Sequence, residues 1–278
     1  MSAGTLYLVA TPIGNLEDLT FRARRVLAEV DLIACEDTRR TRRLLTHYGI
    51  TTPTVSFHEH NEEARSAELV RRLRRGEHVA LVSDAGTPAL SDPGYRLIRA
   101  AASAGLTIVP VPGASAVLAA LTVSALPTDR FTFLGFLPRR SGERRRALAA
   151  VRTLPWTLVL YEAPHRLTAA LEDIALVLGN RRVALARELT KKFEEVFRGT
   201  VAEALDHLRA HPPQGEFTIV VAGATEAVTE GEDDPAARMR ALLEAGVPPT
   251  RAVQEVRRAC GLGRRQAYEL MLRMRGKG

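Results

Sequence analysis

Apolar residues along this chain fall into short runs separated by amphipathic stretches, and their alternation predicts strands and helices in turn. Thr5–Ala10 is apolar, brief and stopped by Pro12 and Gly14, so a first strand is expected there. Thr20–Glu29 has helical spacing behind an Asp18/Thr20 cap signal. A strand over Asp31–Cys35 and a helix over Thr38–His47, closed by Gly49, come next. Thr54–Phe57 predicts a short strand, and Glu62–Arg75 an amphipathic helix ended by Gly76. Val79–Ser83 (strand), Tyr95–Ala104 (helix) and Thr107–Val111 (strand) complete the first half. This rhythm predicts an α/β fold with a mostly parallel sheet and helices on both faces.

Pro110-Val111-Pro112-Gly113 punctuates the chain, and a small-residue helix over Ala114–Ser124 follows. The pattern then restarts. Strands are expected at Phe131–Phe133, Thr157–Tyr161, Val183–Arg187, Glu195–Arg198 and Phe217–Ala222, with helices at Ala147–Val151, Leu167–Leu178 and Val201–Ala210. Pairing of 193–200 with 217–223 would make this second sheet mixed. The division expected is an N-terminal α/β domain over 1–112 and a second α/β domain over 113–224. An acidic linker over 225–234 leads to a small helical tail over 235–278. In the tail, Pro235–Glu244, Arg251–Cys260 and Arg264–Met274 predict three short helices in a helix-turn-helix-like order, with Arg264, Arg265, Arg273 and Arg275 on the last. A solvated helix that covers the main body or a second subunit accounts for the same pattern.

A length of 278 residues with 46% hydrophobic content allows two domains and an appendage. Aromatic residues make up only 5%, so aliphatic side chains must fill the cores. No apolar stretch approaches the ~20 residues a membrane helix needs, and no basic segment precedes an apolar one at the start. Cys35 and Cys260 share no metal-type spacing and fit buried thiols in a reducing compartment, so a cytoplasmic protein with no membrane partner is expected. Net charge is +7, which favours an anionic partner. Lys191, Lys192 and Lys277 are the only lysines among 39 basic residues; the rest are arginines, which grip phosphates with two parallel hydrogen bonds.

The chemistry gathers in loops that leave predicted strands, where α/β proteins hold ligands. Ala10-Thr11-Pro12-Ile13-Gly14-Asn15 lets a ligand approach backbone, but it lacks the dinucleotide glycine pattern and a P-loop lysine. Ser83-Asp84-Ala85-Gly86-Thr87-Pro88 continues to Asp92-Pro93-Gly94 as a stiff, sharply turned loop rich in free backbone groups. Pro112-Gly113-Ala114-Ser115-Ala116 turns tightly into a helix of small residues. Tyr161-Glu162 and Val221-Ala222-Gly223 end later strands.

In order and content these loops resemble the tetrapyrrole methylase superfamily, the class III methyltransferases that use S-adenosylmethionine. Gly14 with Leu19-Thr20 fits the family's opening turn, although Ala10 and Pro12 stand where two glycines are usual. Pro112 to Ala116 and Arg198-Gly199-Thr200 fit two further family turns. Cys35-Glu36-Asp37-Thr38-Arg39, Phe57-His58-Glu59-His60-Asn61, Gly135-Phe136-Leu137-Pro138, His165-Arg166 and Arg187-Glu188-Leu189-Thr190-Lys191 are similar to the branch that acts on ribosomal RNA. The resemblance covers about residues 4–223 closely. It implies two α/β domains with the methyl donor in the cleft between them, a homodimer, and 2′-O-methylation of a cytidine ribose in 16S rRNA near the decoding centre, within the small ribosomal subunit.

Under that resemblance Asp84, Ala85, Gly86 and Thr87 would hold the amino-acid end of S-adenosylmethionine, and Pro12, Gly14, Ser115 and Ala116 would lie close to it. Tyr161, Glu162 and Ala222 would border its adenosine. Asp92 is expected to cap the next helix. Arg39 and Arg42, three apart on one helix, are the favoured RNA contacts, and Arg139, Arg140 and Arg144 form a second basic cluster for which RNA contact and simple solvation are equal readings. A base for the ribose hydroxyl would come from His58, Glu36, Asp37 or Lys191. No metal is required, since His58 and His60 have no third ligand signalled. Two rival readings are a methyltransferase acting on a small tetrapyrrole, and a ligand-sensing regulator that binds nucleic acid.

Overall fold

The computed structural model describes residues 2–224, 235–244, 247–260 and 262–275, excepting the side chains of 237 and 273–275. The expected acidic linker, Gly246, Gly261 and the side chains of Arg273 and Arg275 therefore lie outside the described residues.

Strands β1 (Thr5–Val9), β2 (Leu32–Cys35), β3 (Thr54–Ser56), β4 (Val79–Val82) and β5 (Thr107–Val111) form one sheet in the order β3-β2-β4-β1-β5. Every pair in it is parallel. Parallel strands are covered on both faces, so β2 (LIAC) and β4 (VALV) are apolar throughout and fully buried. Helices α1 (Phe21–Glu29) and α2 (Thr38–His47) cover one face, packing Val26, Leu27 and Leu44 on Ile33 and Ala80. Helices α3 (Glu62–Arg74) and α4 (Tyr95–Ser103) cover the other, packing Leu69, Leu73 and Leu97 on Ala34 and Leu81. The chain thus leaves β1 toward one face and its neighbour β4 toward the opposite face. A crevice at the carboxyl ends of two such strands is where open α/β sheets bind ligands.

Strands β6 (Phe131–Phe136), β7 (Thr157–Glu162), β8 (Arg182–Arg187), β9 (Glu195–Thr200) and β10 (Phe217–Val221) form a second sheet, ordered β6-β7-β10-β8-β9. Only β6 and β7 pair in parallel; the other pairs are antiparallel. The sheet is mixed, but β9 does not pair with β10 as expected. It forms a hairpin with β8, through a turn in which Glu188 and Thr190 take positive φ, and β8 separates it from β10. Helix α5 (Ala116–Val123) packs Val117, Ala120 and Leu121 on one face of this sheet. Ile13, from the loop after β1, joins that cluster and ties the two sheets together. Helices α6 (Ser141–Ala150), α7 (Pro164–Leu178) and α8 (Val201–Ala210) pack on the other face through Leu148, Leu167, Ile174 and Leu208.

Helix α6 starts six residues before the expected Ala147, and one of the arginines in the added turns is a core residue. Arg144 is buried and donates through Nε to Asp173 Oδ2 at 2.6 Å, while its NH1 donates to the Arg139 carbonyl at 3.2 Å. Burial favours the neutral acid at Asp173, yet hydrogen bonds from Arg145, Ser141 and Arg144 outweigh it and hold the carboxyl below its ordinary range. Arg144 is therefore a structural ion-pair partner and not the exposed RNA contact its sequence neighbourhood predicted.

Helices α9 (Pro235–Glu244), α10 (Pro249–Cys260) and α11 (Arg264–Arg275) share a small core of Met239, Ala252, Val253, Val256, Ala267 and Met271. Arg264 and Arg265 are exposed on α11. Among the described residues no helix is long and apolar enough to cross a membrane.

Candidate active site between the two sheets

A cleft of about 340 Å³ opens between the carboxyl ends of the first sheet and the facing end of the second. From the first sheet come Ile13, after β1, and the loop after β4, including Asp84, Ala85, Gly86, Thr87 and Asp92. Ser115 and Ala116 enter it at the start of α5. The second sheet contributes Phe136 from β6, Tyr161 and Glu162 from β7, Leu189 and Lys191 after β8, and Phe217 and Thr218 from β10.

Backbone bonding holds this wall in place. Thr11 N donates to Gly86 O at 2.9 Å and Gly86 N returns a bond to Thr11 O at 3.0 Å, so the loops after β1 and β4 are tied edge to edge. Gly86 has φ +81°, and a Cβ there would lie 3.3 Å from Ile13 Cγ2, which makes glycine the fitting residue. Ser115, expected close to the donor, also caps α5 by accepting a hydrogen bond from Leu118 N.

Of the residues expected at a donor site, Asp84, Ala85, Gly86, Thr87, Ser115, Ala116, Tyr161 and Glu162 come together in the cleft. Pro12 and Gly14 line a smaller adjoining cavity instead, while Ile13 between them faces the cleft. Gly14 also touches the second lobe: a Cβ on it would fall 2.3 Å from Lys191 Cγ. Ala222 is not brought to the cleft. Because β10 runs antiparallel to β7, its first residues, Phe217 and Thr218, face the cavity. Ala222 follows its far end, bonded to Arg182 O and to the Arg181 guanidinium.

Carboxylates crowd the floor. Asp84 Oδ1 accepts from Asp37 N at 3.0 Å, and its Oδ2 lies 3.5 Å from Arg40 NH1. Asp92 does not cap α4 as expected. Gly94 occupies that position with φ 143°, and Glu62 Oε1 accepts from Gly94 N and Arg96 N at 3.0 and 3.1 Å. Freed from capping, Asp92 lines the cleft, and burial together with the neighbouring Glu36 and Asp84 charges pushes its carboxyl up to about 6. Burial, then the Asp84 charge, also raises Glu36. Across the gap, burial and the Asp92 charge raise the Tyr161 phenol. The only sign of Asp92 in the sequence was a second aspartate in the same loop.

The other expected bases fare differently. Asp37 caps α2, accepting from Arg39 N at 2.8 Å, and hydrogen bonds from Arg39 hold its carboxyl below the ordinary range. Lys191 donates to Glu188 Oε1 at 2.9 Å and Glu216 Oε2 at 3.0 Å. Burial opposes its charge, but those two hydrogen bonds prevail and raise its pKa, so it stays an ammonium and cannot take a proton near neutral pH. His58 is half-buried beside Asn61 and lies outside the cleft lining. No group of three potential metal ligands occurs among the described residues.

Arg39 is exposed and paired with Asp37 at 3.1 Å; Arg42, Arg139 and Arg140 are also exposed. Arg140 lies 3.6 Å from Glu143.

One buried atom tests whether a sulfonium nucleoside fits. The Glu162 side chain is 0% exposed. Its Oε1 accepts from Ala163 N at 2.9 Å and lies 3.1 Å from Arg166 Nε, while its Oε2 has no partner. Buried polar oxygens are nearly always satisfied, and Glu162 is a lining residue of the cleft, so this orphan is an acceptor that a ligand donor such as a ribose hydroxyl would satisfy. With carboxylates, apolar side chains and the buried Glu162 in one lining, the cleft suits a molecule with an amino-acid end and a nucleoside end.

This two-lobed fold, with its ligand cleft at the strand ends, defines a class. A family model described as Tetrapyrrole (Corrin/Porphyrin) Methylases matches residues 5–205, and the chain belongs to that family. A crystal structure of uroporphyrin-III-C-methyltransferase from Thermus thermophilus shares the fold with TM-score 0.54 at 25% identity, covering 78% of this chain and 94% of that one. Two relatives are more specific. The Ribosomal RNA small subunit methyltransferase I of Halalkalibacterium halodurans is 47% identical over 272 residues, 96% of this chain and 94% of its own. The protein of that name from Synechocystis sp. is 46% identical over 278 residues, 99% of this chain and 100% of its own.

Proposed function

We propose that this chain is an S-adenosylmethionine-dependent methyltransferase of small-subunit ribosomal RNA, acting on the 2′-hydroxyl of a cytidine ribose near the decoding centre. It works in the cytoplasm as a homodimer, with the assembled small subunit as its substrate. The observation that carries the reading is the convergence of the family's loops on one cleft with an unsatisfied buried carboxylate oxygen, in a chain whose nearly full-length relatives are named for that RNA.

The donor, when bound, supplies a methyl carbon made electrophilic by its sulfonium. The protein's main contribution is then positioning. Asp84 and the Ala85 amide hold the amino-acid end, the Gly86 amide being already bonded to Thr11; Glu162 Oε2 takes a hydroxyl of the nucleoside. Ser115 and Ala116 keep the wall of α5 small enough for close approach. Asp92, ionised above about pH 6, accepts the proton that leaves the ribose oxygen. Burial and its carboxylate neighbours make it a stronger base than an ordinary aspartate. Lys191, fixed as an ammonium, stands at the mouth with its stem against Gly14.

The test is incubation with labelled donor and either purified small ribosomal subunits or a porphyrinoid. Label on a cytidine ribose of the subunit RNA supports the reading. Transfer to the porphyrinoid alone, or to neither, overturns it.

A further inference from the structure

Beside the cleft lies a second cavity, of about 140 Å³, that shares Asp84 with it. Its walls come from the loop after β1, through Thr11, Pro12 and Gly14, and from α2, through Arg40 and Arg43. These two arginines are three apart and so lie on one helix face. Arg39 and Arg42, the pair favoured by sequence, do not line it. Arg39 is already spent on Asp37. Arg40 leans toward the shared wall, its NH1 3.5 Å from Asp84 Oδ2. Arg43 is exposed and makes no ion pair among the described residues. One carboxylate thus faces two guanidiniums, and the cavity keeps an unspent positive charge next to the proposed reaction centre.

We infer that this cavity is a phosphate subsite: Arg43, with Arg40, grips the phosphodiester flanking the target ribose while that ribose reaches past Asp84 into the cleft. The inference rests on the rRNA reading above and adds to it where the strand lies. A guanidinium with free N–H donors matches phosphate geometry, and the loop after β1 gives the cavity a largely non-ionic floor on which a sugar can rest.

Calorimetric titration of cytidine 3′,5′-bisphosphate, with cytidine as control, into protein saturated with S-adenosylhomocysteine reads the subsite directly. The variants are Arg43→Ala, Arg43→Lys and Arg71→Ala, the last an exposed arginine near the end of α3, a helix on the opposite face of the sheet from α2. The bisphosphate should bind the wild type and Arg71→Ala alike, about tenfold or more weaker in Arg43→Ala, and at intermediate strength in Arg43→Lys. Cytidine binding should not respond to Arg43. In methyl transfer to small subunits, Arg43→Ala should raise KM about tenfold with kcat little changed, and lower the slope of log KM against log salt by about 1. No measurable bisphosphate binding to the wild type, equal affinity in wild type and Arg43→Ala, or an equal loss in Arg71→Ala overturns the subsite. If the bisphosphate behaves as expected but the wild type methylates no subunit, the rRNA reading fails and the phosphate subsite stands.

Discussion

Asp92→Asn should make the protein more stable and less active at once. The carboxyl is held at about 6 against an ordinary 3.8, a gap worth about 3 kcal/mol at 1.36 kcal/mol per pH unit. A raised carboxyl pKa means that the folded state disfavours the charged form. The penalty is absent below about 3.8, grows between 3.8 and about 6, and is complete above that. Asp92 is partly exposed, so solvent screening reduces the recoverable part to about 1–2 kcal/mol. Asparagine keeps the shape and removes the charge beside Glu36 and Asp84. At pH 8 the ligand-free variant should melt about 2–3 °C above the wild type, and at pH 4 the difference should vanish. Methyl transfer should fall about 10²-fold or more, and the wild type should lose activity below about pH 6 while the variant's residual activity shows no such limb. Thermal melts across pH and single-turnover methyl transfer read both effects. An equal or lower melting temperature at pH 8, or a gain that does not depend on pH, would refute the account of Asp92 as a buried, repelled carboxylate.

Glu162→Gln should weaken binding of S-adenosylhomocysteine about tenfold or more by calorimetry, because the unpartnered Oε2 is the acceptor offered to a ligand hydroxyl; unchanged affinity would remove Glu162 from the site. Arg144→Ala should cost about 2–3 kcal/mol in denaturant unfolding, since the buried Asp173 then keeps only Arg145 and Ser141, while the double change with Asp173→Ala should recover part of the loss. Small-subunit binding by folded Arg144→Ala should match the wild type, and a selective loss there would restore the arginine to the RNA surface.

The residues alone determined the element order of both halves. Buried parallel strands must be apolar on both faces, and runs such as Val79–Val82 between amphipathic helices admit few other readings. The motif loops were legible too, because glycine, proline and aspartate at strand ends are constrained by local backbone geometry alone. What tertiary structure decided is which polar side chains those loops leave free. Asp92 and Asp37 are alike in sequence, each just ahead of a helix, yet Glu62 takes the capping role at α4 from a distant helix and so releases Asp92 into the cleft, while Asp37 caps α2 itself. Arg144 reads as surface until Asp173 is seen beneath it. Lysine 191 reads as a base until Glu188 and Glu216 fix its proton. Ala222 reads as a pocket residue until the antiparallel run of β10 carries it to the other end of the sheet. Each case turns on a partner far away in sequence or on strand direction, and electrostatic energy depends on separation in space, which a linear pattern does not contain.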